Sequence, residues 1–537
     1  MGESLKRFLM FNSVLLVSMG LAACSDSEEA GADGEDTSSM ADYSVGDQFK
    51  AEEPVEFSML FSDHPNYPFK EDWLLMEEIE KRTNVSLDMT IVPMSDYAEK
   101  RSLLISSGDA PYIIPKTYPG EESAFVSSGA ILPISDYVDM MPHFQAAVEE
   151  YDITPYLEGL RQEDGKYYVL PGMHENVWPD YTLAMRYDIL EELNLEVPET
   201  WEELEVVLEE MKKAYPDSTP FSDRFMFDST LNIAATTFGT RAGWGLGNGL
   251  KYDGDADNFY FAPASDEHKE LVTYFNGLVE KGLLDKESFT QEDEQAQQKL
   301  INGDSFVINT NSQTVVDYRT DMNETLGEEN FEIKKIPLPG GPIGHVMGGS
   351  KLENGVMISS KAKEDPNFKA MIQFLDWLFY SPEAKEFTKW GVEDVTYTKD
   401  ESGKRTLAED VNYVGLNPDG SKALNTDFGF SGGNFSYGGS TELLHSMMNE
   451  EEIEFQNIMH ETKETIMPDP PIKYNAMELE QSTLMSTPLI DHVKQNTLQF
   501  ILGSRDLSEW DDYVAELESK GLQKFVDQAN EVYANQN

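Results

Sequence analysis

The chain has 537 residues, 40% of them hydrophobic, and carries 99 Asp and Glu against 40 Lys and Arg, a formal net charge of −59. Polyanions such as nucleic acid are repelled by such a chain, and a single cysteine excludes a disulfide framework or any multi-cysteine metal centre. The length is enough for two or more domains with cores of their own, and the acids are spread along the whole chain, as in a well-solvated surface whose self-repulsion salt would screen.

In chain order, Lys6 and Arg7 precede an uncharged apolar run over residues 8–20, then Leu21-Ala22-Ala23-Cys24. A basic start, a short apolar core and small residues before a cut describe a secretory signal, because the run is shorter than the roughly 20 residues a spanning helix needs. Leu-Ala-Ala-Cys resembles the lipobox of bacterial lipoproteins, which implies cleavage of residues 1–23 and a lipid on Cys24, the only cysteine. Residues 25–53 hold ten acids, one lysine and few apolar side chains, so residues 24–53 are predicted to be a disordered acidic tether.

From residue 54 strands and helices alternate. Val55, Phe57, Met59 and Phe61 repeat with period two, as do Val85, Leu87, Met89 and Ile91. Helices are predicted over 70–81 and from Ser95 or Asp96 to Ser107, with Gly108 just past the end, and a short apolar strand over 112–114. Thr200-Trp201-Glu202-Glu203 reads as a capping box before a stripe of Leu204, Val207, Leu208 and Met211. Leu271, Tyr274, Phe275, Leu278 and Val279 form another stripe, closed by Gly282; Phe368, Met371, Ile372, Leu375 and Leu378 form a third. Ser381-Pro382 opens the next helix and Gly391 ends it, and a helix from Ser508 is broken at Gly521. The alternation predicts an α/β layer fold with largely parallel sheets.

Motifs in a fixed order then carry a resemblance. Ile105-Ser-Ser-Gly-Asp-Ala-Pro111, Ala130-Ile-Leu-Pro-Ile134, Gly165-Lys-Tyr-Tyr-Val-Leu-Pro171, Met185-Arg-Tyr-Asp-Ile-Leu190 with Val197-Pro-Glu-Thr-Trp201, Gly282-Leu-Leu-Asp285 and Phe500-Ile-Leu-Gly503 succeed one another behind the lipobox. Together they resemble the extracellular solute-binding lipoproteins of bacterial ABC importers, in the large carbohydrate-type branch common in Gram-positive bacteria. Two positions depart from the pattern: Tyr112 stands where the family usually has Asp, and Asn194-Leu195 replaces Gly-Leu.

The resemblance implies a two-lobe, periplasmic-binding-protein-like (Venus flytrap) fold with crossing strands at the hinge. Its crossings fall near 171–186 and 339–359, giving lobe one as 54–175 plus 345–392 and lobe two as 176–344 plus 393–537. It implies a receptor on the outer face of the cell membrane, monomeric and without a cofactor. Such a receptor holds an oligosaccharide in the cleft and passes it to the permease subunits of an ABC importer.

Sugar recognition needs flat aromatic rings with polar neighbours in loops, which selects His64, Asn66, Tyr67, Asp109, Glu175, Trp178, Trp244, Trp390, Phe435 and Tyr437. Arg186 is read as a support for its strand. Enzyme and metal motifs are weak. Gly429-Phe-Ser-Gly-Gly433 matches a nucleophile elbow by letter only, and no His-Glu-x-x-His is present. Asp253, Asp255 and Asp257 begin like a calcium loop but fail at its sixth and twelfth positions, so a turn is expected. The alternatives left open are a binder of peptide or another polar solute, a surface lipoprotein polysaccharide-degrading enzyme, and a regulatory lipoprotein.

Overall fold

A computed structural model describes residues 38–327 and 330–536. The predicted signal segment, Cys24 and the tether up to residue 37 lie outside the described residues.

Lobe one is built on a five-stranded sheet. Strand β1 (Val55–Asp63) pairs in parallel with β2 (Val85–Pro93) and β3 (Ile113–Thr117), through the crossover helices Leu74–Thr83 and Met94–Ser107. The strand Leu352–Ile358 then lies antiparallel between β3 and β4 (Leu170–Met173), so the sheet is mixed rather than wholly parallel. Alternation along β1 sends Phe57, Met59 and Phe61 into the main core and Leu60 into a smaller one on the other face. Strand β2 lies at the sheet edge, where only Val85 and Val92 are buried, so its apolar alternation covers one side incompletely.

Lobe two has β5 (Thr182–Arg186) between two antiparallel neighbours, Val307–Thr310 and Ile333–Lys335. Thr200 caps Trp201–Ala214 by accepting the Glu203 N–H at 3.2 Å, while the Glu203 carboxylate reaches the N–H of Glu199 rather than that of Thr200. Asn194 sits at φ 53°, ending its helix in the left-handed conformation that the usual Gly would supply. The 26-residue helix Ala476–Ile501, with Pro488 inside it, packs on Asp266–Glu280.

Two predicted boundaries change. Residues 38–53 are not a free tether. Phe49 is fully buried against Phe374, and Met40 exchanges backbone hydrogen bonds with the Gln373 amide. The Tyr43 hydroxyl reaches Asp376 at 2.9 Å, and Ala51 donates to the Thr83 carbonyl at 2.8 Å. The acidic average of the segment conceals these few anchoring side chains. Likewise, residues 393–446 belong with lobe one, because Tyr397, Leu407, Val411, Leu424, Phe430 and Leu443 all join its core. These side chains sit on short strands and loops with no helical period, so nothing in the pattern tied them to that lobe. The chain therefore crosses between the lobes three times, after β4, between Gly348 and Leu352, and after Met447; the third crossing was expected at 392–393.

Candidate functional site

The carboxyl ends of β1, β3 and β4 meet at one edge of the lobe-one sheet, and the strand Leu352–Ile358 begins there. Such an edge, where strand direction changes, is where open α/β sheets take ligands. After β1, His64 stacks on Tyr67 with ring centroids 4.8 Å apart and 15° between planes. The N–H of Asn66 donates to His64 Nδ1 at 3.0 Å, so the proton of the neutral ring sits on Nε2. Burial and then Lys116 lower the pKa of this imidazole. Lys116, at φ 54°, is the last residue but one of β3, and Tyr118, just past its end, is exposed. After β4 come His174 and the first crossing. Glu353 faces these groups. Burial raises its pKa, but His174 at 3.5 Å, Lys389 and the Gly438 N–H outweigh that and hold it at about 2.

The opposite wall comes from lobe two. Asp180 and Tyr181 precede β5, and Asn311 and Ser312 follow Val307–Thr310; the Ser312 N–H donates to Asp180 at 3.1 Å. Tyr181 meets Trp244 edge-on at 5.2 Å, and Phe225 lies 5.0 Å from Trp244. The Arg224 guanidinium covers the Phe225 ring at 3.9 Å and donates to the Tyr318 hydroxyl. Three successive residues here, Phe225, Met226 and Phe227, have φ of 56°, 51° and 68°, a left-handed turn that side chains disfavour. Asp293 holds the turn by accepting the Phe225 N–H at 2.7 Å. Strained backbone of this kind concentrates at ligand clamps.

Between the walls, Trp178 stacks on His174 at 5.9 Å and lines a cavity of about 190 Å³. Lys389, Ser431 and Ser436 of lobe one and Ser312 and Glu452 of lobe two close it. Tyr118 and Tyr181 approach across the same gap, and burial, Glu353, Glu121 and Tyr181 all raise the Tyr118 phenol.

The structure thus brings His64, Asn66, Tyr67, Trp178 and Trp244 to the cleft, Asn66 through a backbone carbonyl that already accepts from Asn425. Glu175 borders it, but one carboxylate oxygen is taken by the N–H of Thr441 at 2.6 Å. Four expectations are corrected. Asp109 is exposed beyond the helix Met94–Ser107, at the amino end of β3 and far from the cleft edge. Phe435 is buried against Phe61, Tyr437 is stacked on Phe379, and Trp390 is buried with its indole N–H on Ser446. A glycine-rich loop with aromatics reads as a binding loop, but here the rings point inward and fasten the loop to the core.

The cleft residues that sequence reasoning missed are Lys116, Tyr118, Tyr181, Arg224, Phe225 and Lys389. Tyr118 and Tyr181 adjoin strand ends, a signal that could have found them; Lys389 lies within an ordinary amphipathic helix and gave none. The aspartates at 253–257 form a turn in which the Asp253 carboxylate accepts the N–H groups of Asp255 and Ala256. Among the described residues no group of three or more His, Cys, Asp or Glu is placed to hold a metal. Ser431 has φ 59°, but it follows the short helix Leu424–Phe428 and not the strand a nucleophile elbow requires.

The chain is 25% identical over 558 residues to the fructooligosaccharide ABC transporter substrate-binding protein FusA of Streptococcus pneumoniae, covering 94% of each chain. It is 23% identical over 410 residues to the polygalacturonan/rhamnogalacturonan-binding protein YtcQ of Bacillus subtilis, covering 75% of this chain and 76% of that one. Among solved structures, the alginate-binding protein AlgQ2 shares the fold with a TM-score of 0.70 at 18% identity, covering 91% of this chain and 99% of AlgQ2. These relatives are binding proteins rather than enzymes. The model of the bacterial extracellular solute-binding proteins matches residues 66–386, well over half of the chain, and the chain belongs to that family.

Proposed function

We propose that this protein is an extracellular receptor that captures an oligosaccharide between its lobes and delivers it to an ABC importer. The observation that carries the reading is the paired chemistry of the cleft. Lobe two presents the rings of Tyr181, Phe225 and Trp244, with Trp244 48% exposed, and lobe one faces them with His64, Tyr67, Lys389, Ser431 and Ser436. Flat rings cover the apolar faces of a pyranose or furanose while the polar groups satisfy its hydroxyls. FusA and YtcQ, both named for carbohydrate ligands, support the same class. The reading assigns the protein no catalysis of its own.

Lipid attachment at Cys24 follows from the Leu-Ala-Ala-Cys sequence behind a basic, apolar leader. It keeps the receptor near its permease and raises the effective concentration without a new contact.

A thermal-shift screen of oligosaccharides and peptides tests the ligand class, since ligand at about 100 times Kd adds about 2.7 kcal/mol of stability. A shift with peptides and none with any oligosaccharide sinks the carbohydrate reading; sugar release from a polysaccharide by the purified protein sinks the receptor reading. Cys24→Ala should leave ligand affinity intact and deplete the membrane fraction. Retention on the membrane at the wild-type level rules out the anchor.

A further inference from the structure

Three lysines stand at the lobe-one wall of the cleft with no carboxylate paired to any of them. Lys385 and Lys389, one turn apart on Pro382–Trp390, are only 3% and 6% exposed. Each donates to an uncharged oxygen: Lys385 to the Tyr437 carbonyl at 2.7 Å and Lys389 to the Ser436 hydroxyl at 2.7 Å. Lys116, half-buried on β3, has no side-chain hydrogen bond or ion pair among the described residues, and its Nζ lies 2.7 Å from where a Cβ on Gly433 would stand. The one carboxylate among them is Glu353. Its oxygens are engaged by His174 and by the N–H of Gly438, and no lysine is within ion-pair distance of it.

Elsewhere the chain treats a buried lysine differently. Lys335, also 6% exposed, donates to both oxygens of Glu452 at 2.9 Å. Burying a charge without a partner is costly, and in a chain with 99 acids partners are not scarce. The surplus of positive charge therefore belongs to the site. Lys389 opens onto the cavity beside Trp178, Ser431 and Ser436, with donors to spare, since an ammonium carries three. Burial first, and then Lys389, lower Lys385 to about 7, while burial lowers Lys389 to about 8, with Glu353 opposing in both. The other groups facing the pair are His174, Lys116, the phenols of Tyr437 and Tyr380 and, across the cavity, Tyr413 and Glu452, whose carboxylate is already held by Lys335.

We infer that the missing counter-charge is carried by the ligand: the cleft takes an acidic oligosaccharide, whose carboxylate completes the pairing of Lys389 and Lys116. The inference rests on the carbohydrate reading above and narrows it to uronate-bearing chains; the net charge of −59 repels such chains at a distance, a repulsion that salt screens, while the lysines act at contact. A neutral hydroxyl can accept from these ammoniums but leaves their charge unbalanced.

Calorimetric titration of the purified protein with galacturonate and mannuronate oligomers, against galactan, mannan and fructan oligomers matched in length, tests it. An acidic oligomer should bind about tenfold or more tighter than its neutral counterpart. Its binding near pH 8 should take up protons, seen as a heat that varies with the ionisation enthalpy of the buffer. Lys389→Met should weaken that binding about tenfold or more, a clearly larger loss than it causes for the matched neutral oligomers. Should this variant fail to fold, Lys116→Met at the half-buried position makes the same comparison. Tight binding of a neutral oligomer with none of its acidic counterpart overturns the inference and leaves the carbohydrate reading standing. Binding of peptides alone removes both, and absence of response to every acidic oligomer overturns the inference.

Discussion

The two walls of the cleft are built in opposite ways. The lobe-one wall is the edge of a core. Directly behind its lysines lie Phe435, Tyr437 and Trp390, all buried, and its polar groups hang from strand ends and from the helix Pro382–Trp390. The lobe-two wall is held by loops, with Phe225 and Trp244 supported by a left-handed turn, an arginine stack and one aspartate. A wall continuous with a core is stiff and can keep charges buried; a wall on loops can offer large rings to solvent at some backbone strain. The difference teaches that aromatic content alone does not mark a binding surface. In lobe one the rings support the wall, and in lobe two they form it.

That contrast can be broken by measurement. Phe435→Ala should cost about 3–5 kcal/mol in urea unfolding, as for any fully buried ring. A loss under 1 kcal/mol would mean the ring is not core. Trp244→Ala should do the reverse, keeping stability within about 0.5 kcal/mol of wild type while removing about 2 kcal/mol of ligand affinity by calorimetry. Equal losses of stability at both positions would erase the distinction.

Lys385→Met probes the buried charge by itself. In the unfolded chain this lysine titrates near 10.5 and in the folded protein at about 7, so between those values the unfolded state holds a proton that the folded state lacks. Stability should therefore rise with pH across that window, and the variant should flatten the rise in denaturation midpoints. A variant profile parallel to wild type would place the lysine in solvent. The smallest effect is expected at Met226, 63% exposed at φ 51°. Met226→Gly should raise stability by up to about 1 kcal/mol by relieving the left-handed backbone. A fall in the melting temperature would show that the turn carries no such strain.

Much of the architecture was legible because it is periodic. The alternation of Phe57, Met59 and Phe61 and the stripe Leu204–Val207–Leu208–Met211 each appear as drawn, as do the stops at Gly108, Gly282 and Gly391. Boundaries set by isolated anchors were not. Phe49 in the acidic segment, and Leu424 and Phe430 between the short strands, bind their neighbours to a core by single side chains that no repeat announces. The site was half legible for a related reason. A ring in a loop can face either way, and nothing near Phe435 differs in kind from what surrounds Trp244. The lysines were illegible because lysine on an amphipathic helix reads as solvent-facing, and only packing reveals Lys385 and Lys389 on the inward side.

The segment from Met40 to Ala51 has a mechanical meaning. It is stitched to Gln373, Asp376 and Thr83, at the amino ends of the lobe-one strands and away from the cleft edge. Any pull applied at residue 38 therefore enters lobe one alone and bypasses the three crossings, so tension from the amino side loads one lobe without prying the two apart.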